Sequence, residues 1–356
     1  MMKYNFGAGP GMLPQEVFEE ASGAILEFDG TGLSILEVSH RSKEFEAVMM
    51  EAERLVRELL HVPQGYSILF LQGGASGQFA QVPLNLLPSS GRAAYLDTGV
   101  WASKAIKEAR RIGTIEVVGS SSDQNYNYIP KSYSVPEDAA YFHITTNNTI
   151  YGTEFFEVPN SPVPLVADMS SDIFSMEMDV SKFGLIYAGA QKNIGPAGLA
   201  LVIVKDSLLG HAERTLPAIY DYQSHITGQS MYHTPPVFAI YVAMLNLRWL
   251  KKIGGVKVIE QENMVKARLL YDEIDRNSLF TANVQSEDRS RMNVVFIAKN
   301  AEVESAFLDF AEGRNLVGLK GHRSVGGFRA SIYNAMRIQG IHALVDTMQE
   351  FEDQYK

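Results

Sequence analysis

Apolar positions fall into two kinds of run along this chain. Short, nearly unbroken runs recur at Ser67–Leu71, Arg92–Leu96, Ala140–Thr145, Pro164–Asp168, Leu185–Gly189 and Leu199–Val204. Between them the spacing turns helical. Over Glu44–Leu60 the residues Phe45, Val48, Met49, Ala52, Leu55, Val56 and Leu59 make one stripe, and Gln78–Leu87 is helix-compatible. Strands covered on both faces lose the alternation of half-exposed ones, so strands of this type between helices predict an α/β domain with a largely parallel sheet. Beyond Gly255 the texture changes. A long helix is predicted over Val256–Arg276, then a strand at Met292–Phe296 and a helix at Ala301–Ala311 that Gly313 can end. Strands at Leu316–Leu319 and Ser331–Tyr333 and an amphipathic helix with Ile341, Leu344, Val345, Met348 and Phe351 complete a smaller α+β unit of about 100 residues. The expected division is an N-terminal segment 1–15, a large domain 16–255 and a small domain 256–356.

The 356-residue length suits two domains, and composition narrows the chemistry. A net charge of −10 argues against a general nucleic-acid or anionic-membrane surface, so an anionic ligand must meet a local basic pocket. No run approaches the roughly 20 apolar residues of a membrane span. Residues 1–10 have no apolar core of a signal peptide, so a cytoplasmic setting is expected. Cysteine is absent, which removes disulfides, thiolate nucleophiles, Cys-based zinc sites and iron–sulfur ligation together. The eight histidines show no tight metal spacing, and no metal is expected.

Lys192 stands just past the strand-like run Leu185–Gly189, in Gly189-Ala-Gln-Lys-Asn-Ile-Gly-Pro196. A desolvated lysine amine loses basicity and can attack a carbonyl, as a Schiff-base lysine must. A loop lysine snorkelling to water is the competing reading. Asp168 ends another buried strand one strand–connection–strand unit earlier. In a parallel sheet such ends converge on one crevice, where a carboxylate can hold a proton on a pyridine-ring nitrogen. Capping of the Ser170-Ser171 turn is the plainer role for Asp168. The turn Gln72-Gly-Gly-Ala-Ser-Gly77 between strand and helix can cradle a phosphate on backbone N–H groups, or can be an ordinary tight turn. It lacks the glycine spacing of a dinucleotide fingerprint, which weighs against a nicotinamide-dependent oxidoreductase. Trp101 at a strand–helix junction suits stacking on a flat ring or a place in the core. Two basic clusters, His40-Arg41 with Lys43 and His322-Arg323 with Arg329, suit either a doubly anionic small substrate or a solvated surface.

These segments resemble the phosphoserine aminotransferase family, class-V aminotransferases of PLP fold type I. The likeness runs nearly end to end, through Asn5–Pro14, Glu37–Arg41, Gly73–Phe79, Ala167–Ser171, Gly189–Pro196 and Leu319–Ala335. It implies a large domain with a mostly parallel seven-stranded sheet and pyridoxal 5'-phosphate in Schiff-base linkage to Lys192. Asp168 would pair with the pyridinium nitrogen, and Trp101 would stack on the ring. Ala75 and Ser76, helped by Gln191, would hold the phosphate, and Thr149 the ring hydroxyl. His40, Arg41, His322, Arg323 and Arg329 would bind substrate carboxylate and phosphate. The family's homodimer brings Thr234 to the neighbouring subunit's cofactor phosphate; the residue before it, usually Asn, is His233 here. The implied reaction is transamination between L-glutamate and 3-phosphohydroxypyruvate, giving O-phosphoserine and 2-oxoglutarate. In bacteria a related step of pyridoxine biosynthesis often accompanies it. Another class-V aminotransferase, such as the serine–glyoxylate type, or a non-catalytic PLP-fold binding protein is the alternative. Cysteine desulfurases are excluded by the missing nucleophile.

Overall fold

The computed structural model describes residues 3–355. The chain begins with β1 (Tyr4–Asn5), α1 (Gln15–Leu26), α2 (Lys43–Leu59), β2 (Tyr66–Gln72), α3 (Gly74–Leu86), β3 (Arg92–Asp97), α4 (Val100–Ala109) and β4 (Thr114–Ser120). There follow β5 (Phe142–Thr145), β6 (Leu165–Asp168), β7 (Leu185–Gly189), β8 (Leu199–Lys205), α5 (Tyr222–Thr227), α6 (Val237–Lys252) and α7 (Gly255–Arg276). The last part holds β9 (Phe280–Ala282), β10 (Asn293–Ala298), α8 (Ala301–Glu312), β11 (Leu316–Val317), β12 (Phe328–Ser331) and α9 (Ile338–Tyr355).

Local chemistry sets several of these boundaries. The Ser42 hydroxyl accepts the Phe45 N–H at 3.3 Å and caps α2, whose first turn carries Glu44 and Glu46 and whose last carries Arg57, each matched to the helix dipole. Helix α3 starts at Gly74, four residues before the expected Gln78, because Gly73 takes φ = +97° and turns the chain straight from β2 into the helix.

Seven strands form one sheet in the order β2-β8-β7-β6-β5-β3-β4. All neighbours are parallel except β8, which runs against both β7 and β2. The sheet is thus mostly parallel, as expected. Every residue of β5, β6 and β7 is buried, which is why those strands read as continuous apolar runs. From β3 the chain moves outward to β4, and from β5 it moves the other way, through β6 and β7. Open α/β sheets bind ligands at such a switch point, outside the strand C-termini.

A second sheet, β12-β10-β9, is antiparallel and packs a separate apolar core that includes Phe280, Phe296, Phe307, Phe328 and Phe351. Two cores meet along α7: Val256 and Ile259 pack into the large one, Ala267, Leu270 and Ile274 into the small one. The N-terminal segment joins the small core, with β1 parallel to β11 and Phe6 fully buried. The strand expected at Ser331–Tyr333 lies at Phe328–Ser331. There it pairs with β10, after which the Ile332 N–H bonds the Met292 carbonyl and the chain turns away.

Candidate active site

The C-terminal ends of β5, β6 and β7 open on a cavity of about 360 Å³, within the range of small-molecule sites. Lys192 lies in the turn after β7 and is buried, with its Nζ donating to the Thr149 hydroxyl at 2.5 Å. Burial pushes its amine down to about 8 against the pull of Asp168 and Asp172. At pH 7 about one-tenth is then neutral, far more than at an ordinary lysine, and neutral is the state a nucleophilic amine needs.

Asp168, at the end of β6, is buried and accepts the Ser170 N–H at 2.9 Å and the Ser170 hydroxyl at 2.5 Å through one oxygen, Oδ1. It therefore caps the Ser170 turn, the plainer of its two expected roles, and also lines the cavity. Burial raises its carboxyl while those bonds and the Lys192 charge lower it. Deeper still, burial and the Glu154 charge push the Asp172 carboxyl up to about 8, and the Thr146 hydroxyl donates to it at 2.7 Å.

The N-terminus of α3 faces the same cavity. Gly73 and Gly74 both take positive φ, at +97° and +63°, and neither Ser nor Asp caps the helix. A Cβ at Gly73, Gly74, Gly77 or Gly198 would meet nothing within 4 Å, so open space lies before the unpaired first-turn N–H groups near Ala75 and Ser76. Gly189 is needed for close packing. A Cβ there would come within 2.8 Å of the Gln191 side-chain oxygen and 3.4 Å of the Ala75 nitrogen. Trp101, in the first turn of α4, lines the cavity with its indole N–H buried and unpartnered.

Arg329 approaches from β12. It is half-buried, donates to the Thr149 carbonyl at 3.3 Å, and has a buried Nε with no partner. Burial lowers its guanidinium, an unusual position for Arg without a carboxylate beside it. His322 feels the charges of Arg329, Arg323 and Lys104, which add to burial in lowering its imidazolium. A cationic group thus gathers beside the cavity of an acidic chain. Arg329, His322 and Arg323 stand outside the lining itself, Arg329 joined to it through the Thr149 carbonyl; His40 and Arg41, in the loop before α2, do not line the cavity either. Neither do His233 and Thr234: the Thr234 carbonyl accepts the Gln72 side-chain amide, and the His233 ring lies 5.5 Å from His225.

Sequence reasoning missed several contributors. Lys104, one helical turn beyond Trp101, sits 4.3 Å over the indole ring. Asn147 lines the cavity and binds both Ser171 and Asn293, while Gly9 and Pro10 close one wall. Only the three-residue spacing from Trp101 could have flagged Lys104. Among the described residues no group of His, Asp and Glu could hold a metal ion, and no helix is long and apolar enough to cross a membrane.

The aminotransferase class-V family model matches residues 3–344. The chain belongs to the class-V aminotransferases. The phosphoserine aminotransferase of Bacteroides thetaiotaomicron is 56% identical over 354 residues, covering 99% of both chains. That of Flavobacterium johnsoniae is 57% identical over 353 residues, again covering 99% of each. The solved phosphoserine aminotransferase of Bacillus circulans subsp. alkalophilus superposes with a TM-score of 0.97 at 44% identity, over 100% of this chain and 99% of that one. The PLP-bound enzyme of Trichomonas vaginalis gives 0.94 at 38%, over 98% and 100%. The architecture is accordingly PLP fold type I. Class-V aminotransferases imply a pyridoxal phosphate cofactor, and the cavity's donor set fits one: a poised amine, a buried carboxylate, an indole and a glycine-flanked helix N-terminus with room before it.

Proposed function

We propose that this chain is a cytoplasmic, homodimeric phosphoserine aminotransferase that moves an amino group from L-glutamate to 3-phosphohydroxypyruvate. The observation that carries the reading is the buried amine of Lys192, held by Thr149 at a cavity shared with Asp168 and α3 and flanked by Arg329. The names of relatives more than half identical over nearly the whole chain support the substrate assignment.

Pyridoxal phosphate, when bound, supplies an aldehyde for imine formation and a ring that takes up the electron pair released at the substrate's Cα. The first-turn N–H groups of α3 at Ala75 and Ser76, with Gln191, hold its phosphate. Asp168 would keep the ring nitrogen protonated, which its Ser170 bonds would assist by stabilising the carboxylate. Trp101 would stack on the ring, and the Thr149 hydroxyl would bond the ring hydroxyl. Lys192 would take the proton from the glutamate Cα and deliver it across the nitrogen to the carbon that was the cofactor's aldehyde carbon; in the second half-reaction the same amine would run the transfer in reverse. Arg329, with His322 and Arg323, meets the anionic ends of the substrate, where an unpaired buried guanidinium penalises shorter acids. His40, Arg41, His233 and Thr234 lie off this cavity, and we assign them to the neighbouring subunit's site. The large domain, 16–255, carries the cofactor. The small domain, 256–356, carries Arg329.

The test is covalent. The purified protein should be yellow, and borohydride should fix the cofactor on Lys192; an adduct that persists in Lys192→Ala refutes the assignment. Arg329→Leu should weaken phosphohydroxypyruvate far more than an unphosphorylated oxo acid, and equal losses would remove the phosphate role.

A further inference from the structure

Lys266 lies on α7, away from the cavity, and is 2% exposed. Among the described residues it enters no ion pair within 4.0 Å. Its Nζ instead faces four backbone carbonyls: Tyr333 at 3.0 Å, Met336 at 3.1 Å, Ile332 at 3.3 Å and Asn334 at 3.5 Å. The carboxylate that pulls on it, Glu262, is exposed one turn away on the same helix, and burial depresses the amine to about 7.

Burying an ammonium without a countercharge is costly, and a neutral side chain could fill the same space. What an ammonium provides is a centre that draws several carbonyl oxygens inward at once, as a bound cation does. Its three N–H groups are shared among four acceptors, all within five consecutive residues. Asn263, one turn earlier on α7, adds a side-chain bond to Asn334 Oδ1 at 2.9 Å.

The segment so gathered carries three connections toward the site. Asn334 donates its backbone N–H to Asn193 Oδ1 at 3.0 Å, and Asn193 follows Lys192 directly. The Tyr333 hydroxyl donates to the Ala8 carbonyl at 2.7 Å, beside the Gly9–Pro10 wall. Three residues before Ile332 stands Arg329, on a strand whose continuation this segment is. We propose that Lys266 is a positioning residue of the transamination site, its ammonium fixing residues 332–336 and through them the placement of Arg329 and of the turn bearing Lys192. This inference rests on the function proposed above.

The experiment compares Lys266→Met, Lys266→Gln and Lys266→Ala with the wild-type holoenzyme. Lys266→Met should raise KM for phosphohydroxypyruvate about tenfold and weaken inorganic phosphate in calorimetry by a similar factor, with kcat changed less. Lys266→Gln, which keeps two donors, should fall between. Ammonium chloride should restore part of the loss in Lys266→Ala, because the four carbonyls would then bind the added cation, whereas sodium chloride should not. Hydrogen exchange at residues 333–336 should quicken in Lys266→Met, a readout that stands whether or not the enzyme uses this substrate. If exchange quickens while KM and phosphate affinity stay at wild-type values, Lys266 serves only the fold and the proposal falls. It also falls if none of the three variants folds, or if ammonium restores nothing. A wild-type protein that fails to transaminate would instead sink the proposed function, with the exchange and phosphate results still deciding on Lys266.

Discussion

Replacing Thr149 by Val should make the Lys192 amine still less basic. The hydroxyl is the acceptor for Nζ at 2.5 Å and also bonds the Tyr333 hydroxyl, whereas Arg329 uses the Thr149 backbone carbonyl, so the change removes the side-chain contacts and leaves the Arg329 one. A hydrogen bond to a charged donor contributes about 1.5–3 kcal/mol and one to a neutral donor about 0.5–1.5 kcal/mol. The hydroxyl therefore favours the ammonium over the amine by about 1–1.5 kcal/mol, or about one pKa unit. From its present value of about 8, the amine should fall to about 7 in cofactor-free protein. At pH 7 the neutral fraction then rises from about one-tenth to about one-half, and attack on an aldehyde quickens about fivefold. The assay is the pH dependence of reductive labelling at Lys192 by a small aldehyde and cyanoborohydride, read by mass on the Lys192 peptide. A labelling midpoint that stays put or moves upward refutes the claim that Thr149 holds the charged form.

Asp168→Asn keeps an oxygen for the Ser170 bonds and should leave the melting temperature within a few degrees, yet lower kcat by about 10³-fold, because an amide cannot hold the ring nitrogen protonated. Steady-state kinetics beside a thermal melt separates these; near-normal turnover would exclude the ring-nitrogen role. Lys192 also governs stability. Between about pH 8 and its ordinary 10.5 the unfolded chain holds a proton the folded chain has given up, so cofactor-free stability should rise with pH by up to about 3 kcal/mol across that window. Urea melts of wild type and Lys192→Met should differ by that slope; parallel pH profiles would show the amine titrating normally. Gly152→Ala should destabilise the protein by about 3 kcal/mol or more, since φ is +82° and a Cβ would lie 2.9 Å from Val295 Cγ2 and 3.0 Å from the Asn293 carbonyl. A urea midpoint close to wild type would mean the two units yield there.

The central strands were legible because burial on both faces writes them as apolar runs, and β7 falls at Leu185–Gly189 as expected. The edge strand β4 was not. Thr114–Ser120 has no fully buried residue and too little alternation to stand out. The reversal of β8 was hidden for a different reason, since a run of apolar residues carries no direction. Helix α1 follows Pro14 with no side-chain cap, and α6 is buried over so much of its circumference that no helical stripe stands out in it. At the site, Lys192 and Asp168 stood out because charged residues interrupt buried strand ends. Lys104 and Lys266 did not, because a lysine in an amphipathic helix looks the same whether it reaches water, an indole or four carbonyls.

That contrast explains how an acidic chain can build an anion site. Lys192 and Lys266 lose basicity to burial, and Arg329 is shifted the same way; among the described residues none of the three has a carboxylate in ion-pair contact. Ion pairs form elsewhere, at partly exposed sites such as Arg248 with Glu51 and Arg314 with Glu350, and contribute little individually. An acid placed beside Arg329 would satisfy its free Nε and cancel the attraction for an incoming anion. Leaving that nitrogen buried and unpaired costs stability, a cost that the anion-binding role proposed for Arg329 would recover. The same logic applies to the indole N–H of Trp101, which among the described residues is buried without a partner, while Asp168 and Asp172 direct their negative charge at Lys192. The site is polarised by where acids are withheld, and neither the net charge nor the count of basic residues reveals that arrangement.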